Sequence, residues 1–154
     1  MSTPTHEVVP PADDDDPGYL LGRLLSIVED GEWIVNGEAA SRKLALDAIE
    51  RAPLMPTRYY ARLAKTGHDR ELRMRQPRRT AFGRELTAVA AAIGTSLPDR
   101  KMTTEESARF VAGYYAQRAA IIARRKTAKT ARASKASRAA AAGNAESTGV
   151  APAE

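Results

Sequence analysis

Leu21, Leu24, Leu25 and Val28 recur at i, i+3, i+4 and i+7, the spacing of a helix with one buried stripe. This first helix is expected from about Pro17 to Asp30. Asp16 is placed to cap it and Pro17 to occupy its first position, where no amide donor is needed. Gly31 is expected to end it, with Trp33 anchoring a connector closed by the turn dipeptide Asn36–Gly37. A weaker second helix, about Ser41 to Arg51, turns Ala45, Ala48 and Ile49 inward. Pro53 and Pro56 break the chain and start a third helix near Thr57, with Tyr60, Leu63 and Ala64 as its apolar edge and Gln76–Pro77 as its stop. In the fourth, about Thr80 to Ile93, Phe82, Leu86, Val89 and Ile93 recur at helical spacing before Gly94. The fifth opens on a capping box, Thr103-Thr104-Glu105-Glu106. Its stripe is Phe110, Tyr114, Arg118 and Ile121, widened by Val111 and Ile122.

No segment alternates like a strand, so the pattern predicts an all-α fold, a compact bundle of four to five helices. The chain divides into a disordered acidic leader (1–16), a helical bundle domain (17–125) and a basic, then low-complexity, Ala-rich tail (126–154). The Ala/Lys/Arg tract after Ile122 either extends the fifth helix or remains mobile, since helix formation without packing is marginal; the residues from Gly143 on read as disordered.

Charge sharpens this picture. Residues 1–50 hold 3 basic and 11 acidic residues, a net −8, whereas residues 51–154 hold 21 basic and 8 acidic, a net +13. Such asymmetry points to a polyanionic partner for the body. Between Arg51 and Arg84 ten basic residues face only Asp69 and Glu71, and most are arginines, whose planar fork engages phosphate oxygens. The candidate nucleic-acid-binding residues are therefore Arg58, Arg62, Lys65, Arg70, Arg73, Arg75, Arg78 and Arg79, with Arg124, Arg125 and Lys126 beyond the last apolar stripe. Tyr59, Tyr60, Tyr114 and Tyr115 offer aromatic faces; Tyr60 and Tyr114 fall on the apolar stripes, which leaves Tyr59 and Tyr115 the freer pair.

Catalytic chemistry is not expected. There is no cysteine, His6 and His68 are far apart, and no nucleophile elbow or glycine-rich phosphate loop is present, so neither cofactor nor metal is implied. No stretch is long and apolar enough to span a bilayer and no secretory signal is evident, so a cytoplasmic location and no membrane partner are expected.

Two short sequences add a family. Gly18–Leu24 (GYLLGRL) and Phe110–Arg118 (FVAGYYAQR), in this order on the first and last helices, resemble the C-terminal helical region of the large subunit of type I-C CRISPR Cascade, a region also made as a free-standing small subunit. The resemblance covers about Pro17 to Ile122; Ala116 stands where the family commonly has His, and the acidic leader and basic tail lie outside it. It implies a non-catalytic subunit of a crRNA-guided complex, packed along its belly against the backbone and large subunits and holding the displaced non-target single-stranded DNA. Two alternatives stay open: a virus- or mobile-element-borne mimic that blocks CRISPR immunity, and an unrelated basic DNA-compacting protein.

Overall fold

The computed structural model describes residues 15–147; the leader up to Asp14 and the chain from Thr148 on lie outside the described residues. Five helices follow one another: α1 (Pro17–Asn36), α2 (Glu38–Arg51), α3 (Pro56–Arg73), α4 (Arg78–Ile93) and α5 (Thr104–Ser147). No strand occurs among the described residues, as the pattern predicts. The chain divides into two units, one ending at Ile121 and the other beginning at Ile122.

α1 is the axis of the first unit. The Asp16 side chain accepts from the Tyr19 amide at 3.0 Å and Pro17 opens the helix, so the expected cap forms. Leu21, Leu24, Leu25 and Val28 are fully buried, but so are Leu20 and Ile27, and α2, α3 and α4 all pack against the helix. Gly18, Gly22 and Ser26 are buried as well, so the helix is covered on most of its surface, as the central helix of a bundle is.

Gly31 does not end α1. The helix runs to Asn36, carrying Trp33 with it, and stops at Gly37, whose φ of +94° only glycine adopts readily. Gly31 instead makes room for another helix: a Cβ there would lie 2.7 Å from the Phe82 ring of α4. α3 continues through Gly67 to Arg73, and its inner face is Tyr59, Leu63 and Gly67. Tyr59 is therefore the buried tyrosine, while Tyr60 is half-buried with its hydroxyl donating to the Ala90 carbonyl at 3.1 Å. Phe82, Leu86, Val89 and Ile93 form the core face of α4 as expected, and α4 starts two residues earlier, at Arg78.

At the start of α5 the capping box closes in both directions. The Glu106 amide donates to Thr103 Oγ1 at 3.2 Å, and the Thr103 amide donates to Glu106 Oε2 at 2.7 Å. The inner face of α5 is Phe110, Gly113, Tyr114, Gln117 and Ile121. Gln117 takes the inward position expected of Arg118, and Val111 and Ile122 are exposed. Of the two states open to the basic tract, α5 takes the helical one: it includes Lys126 to Ser147, Gly143 among them.

Candidate nucleic-acid interface

The two short motifs meet where α1 crosses α5. A Cβ on Gly22 would lie 1.9 Å from the Phe110 carbonyl oxygen, one on Gly113 would lie 2.0 Å from that of Tyr19, and one on Gly18 would lie 2.9 Å from that of Glu106. Glycine at these positions lets two backbones touch. The motif side chains then lock the crossing. The Tyr114 hydroxyl donates to Glu29 Oε2 at 2.7 Å and accepts from Arg118 at 2.8 Å; burial, and then the bond to Glu29, push this phenol above its usual range. Gln117 accepts from Arg23 at 3.0 Å and donates to Glu85 at 2.7 Å, linking α1, α4 and α5. These residues are committed to the fold.

Some of the candidate cations are committed too. Arg70 pairs with the buried Glu32 of α1 and is itself only 23% exposed. Arg62 lies 3.6 Å from Asp47 and against the Tyr59 ring, and the Tyr59 hydroxyl donates to the same carboxylate at 2.6 Å. That bond, with Arg51 and Arg62 nearby, holds the Asp47 carboxyl below its usual range. A cleft of about 380 Å³ lies between α2 and α3, floored by Leu44, Ala48 and Leu63, and its rim carries the paired Glu32, Asp47, Arg62 and Arg70 together with Lys43.

The cations left over are concentrated elsewhere. Arg73 ends α3, Arg75 stands in the turn, and Arg78 and Arg79 begin α4. None of the four forms an ion pair among the described residues, and all are exposed except Arg79, which is partly buried. The turn that carries them is well anchored. Met74 is buried beneath it, and Gln76 Oε1 accepts from the Thr80 hydroxyl at 2.7 Å and from its amide at 3.2 Å. Arg78 and Arg79 also occupy the first turn of α4, which carries no acidic residue. The positive end of a helix dipole disfavours cations, so this placement opposes stability. Side chains kept there at a cost suit an anion arriving from outside.

Arg58 and Lys65 lie two turns apart on the outer face of α3, exposed and without an ion pair among the described residues. Arg84, absent from the sequence-derived set, is exposed on α4 and adds to the same class. Its signal was present, since it closes the basic stretch, but one more arginine in a helix reads as surface. Arg124, Arg125 and Lys126 lie in the second unit, all exposed. Tyr115, on α5, is 58% exposed and available for contact, whereas Tyr59 is not. No cluster of three or more metal-ligating side chains occurs among the described residues, and no helix there is long and apolar enough to cross a membrane.

Comparison with known proteins gives the chain a family. No curated protein and no solved structure matches the chain. The family model of a CRISPR-associated protein, Cas_Csd1, matches residues 10–122, which include both motifs and the arginine-rich turn. Matched over well more than half its length, the chain belongs to this type I-C Cascade-related family of CRISPR-associated proteins.

Proposed function

We propose that the chain is a non-catalytic small subunit of a type I-C CRISPR surveillance complex, packed on its belly, where it steadies the displaced non-target strand of the R-loop. The observation that carries this reading is the turn with Arg73, Arg75, Arg78 and Arg79: four cations on a rigid support, two of them against a helix dipole, none spent on an internal ion pair among the described residues. In an RNA-guided complex base pairing reads the sequence, and protein contacts to the backbone tip a nearly balanced strand exchange. Arginines not spent on ion pairs suit that task, because phosphate contacts supply affinity independent of sequence.

The test is assembly from purified backbone subunits, large subunit and crRNA, with and without this chain. Co-purification with the complex and improved R-loop formation on adding the chain are expected. Failure to associate would overturn the subunit reading. Association that suppresses target binding would favour the mimic that blocks immunity.

A further inference from the structure

The second unit carries a pattern of its own. From Lys126 to Ala140 the sequence reads KTA-KTA-RAS-KAS-RAA, a cation followed by two small residues, five times over. The segment is helical throughout, and every residue from Arg124 to Ala145 is exposed. It lies beyond residue 122, where the family match ends, so the family relationship does not account for it.

A three-residue repeat on a helix of about 3.6 residues per turn does not build one charged face. Each step falls short of a full turn by roughly 60° and rises roughly 4.5 Å. Lys126, Lys129, Arg132, Lys135 and Arg138 therefore wind around the helix, covering about two thirds of its circumference in roughly 18 Å. The residues between them are Ala, Ser and Thr, which keep the helix slender. Thr127 and Thr130 fold their hydroxyls onto the carbonyls four residues back, at 3.1 and 3.0 Å, so in the first two repeats the lysines are the outward polar groups.

We propose that this helix is a second nucleic-acid site, separate from the α3–α4 turn, and that it takes the major groove of duplex DNA. A helix in that groove has a phosphate wall on either side, and a winding row of cations addresses both. The groove is about 12 Å wide and a helix with its side chains about 10–12 Å across. Over 18 Å a duplex offers roughly ten phosphates, at one charge per 1.7 Å of axis, an ample match for five cations. Other polyanions fit less well. A helix embedded in a membrane surface presents one basic face and an opposed apolar one, and no large apolar residue follows Ile122 before Val150. Single-strand sites commonly add stacking on aromatic rings to their charge, and no aromatic residue occurs after Tyr115. The major groove of duplex RNA is too narrow and deep for side chains to read. Along the helix the cations repel one another at i, i+3 spacing with no acidic residue between them, and DNA phosphates relieve that repulsion.

Fluorescence anisotropy of the full chain against a 30-base-pair DNA, the same length of single strand and the same length of duplex RNA tests this, across a range of salt. With all five cations changed to Gln (K126Q, K129Q, R132Q, K135Q, R138Q), duplex DNA affinity should fall at least about tenfold, and single-strand affinity by no more than about threefold. The duplex salt dependence should flatten by about 0.9 for each phosphate that the variant no longer neutralises. Ala131→Pro keeps every charge but breaks the helix and should reproduce about half or more of the logarithmic loss. Unchanged duplex binding in the five-fold variant would overturn the proposal. So would equal losses on single and double strands, an Ala131→Pro variant that binds like the parent, or tighter binding to duplex RNA or to vesicles of anionic lipid.

Discussion

Where α1 crosses α5, each arginine has a protein partner: Arg23 on Gln117, Arg109 on Asp16 and Glu105, Arg118 on Tyr114 and Glu29. At the turn between α3 and α4, four arginines stand together and none forms an ion pair among the described residues. The same side chain serves as a tie in one region and as an outward-facing charge in the other. Arg70 and Arg73, one turn apart on α3, mark the boundary: the first reaches in to Glu32, the second faces water. A count of basic residues cannot separate these roles. Partners can.

The sharpest break in the comparison lies at the crossing. Gly22→Val or Gly113→Val should destabilise the bundle by about 3 kcal/mol, because the new side chain meets backbone rather than a side chain that can swing away. Phe110→Ala, which empties a fully buried site, should cost about 3–5 kcal/mol. Denaturant midpoints measure both, and variants as stable as the parent would mean the helices do not touch here.

The next effect separates the two adjacent arginines. Arg70→Gln leaves the buried Glu32 without its cation and should cost about 1–3 kcal/mol, whereas Arg73→Gln should stay within about 0.5 kcal/mol of the parent. Single-strand affinity should show the opposite order, with Arg73→Gln the more damaging. Equal effects in either assay would dissolve the distinction between tie and free charge.

The smallest effect is a pH dependence at the start of α5. Arg100 and the Thr103 amide together hold the Glu106 carboxyl at about 2, below its ordinary 4.5. With the folded value depressed, its contribution is complete above about pH 4.5 and is lost as pH falls towards 2. Melting temperatures across that window should decline less steeply in Glu106→Gln than in the parent; parallel declines would remove Glu106 from the account.

Much of this fold is legible in the sequence, and the exceptions share a cause. The stripes of α1 and α4, the Asp16 cap and the Thr103 capping box are local patterns, and each forms as read. Gly31 reads as a helix stop because its purpose, room for Phe82, lies fifty-one residues away. Tyr59 and Tyr60 exchange places because adjacent aromatics fit an apolar edge equally well until α2 supplies Asp47 as a partner for the first. Gln117 displaces Arg118 from the inner face because Arg23 and Glu85 give a buried amide both of the bonds it needs. The basic region is visible from composition alone. Which of its arginines are already engaged depends on Glu32 and Asp47, carboxylates on other helices.

The most direct test of the central claim is R-loop formation by a reconstituted complex carrying Arg73→Glu, Arg78→Glu and Arg79→Glu together. The account predicts that this variant folds and co-purifies with the backbone and large subunits as the parent does, yet supports markedly fewer R-loops, with the deficit growing as salt is lowered and the parent's phosphate contacts strengthen. R-loops at the parental level with all three charges reversed would contradict it.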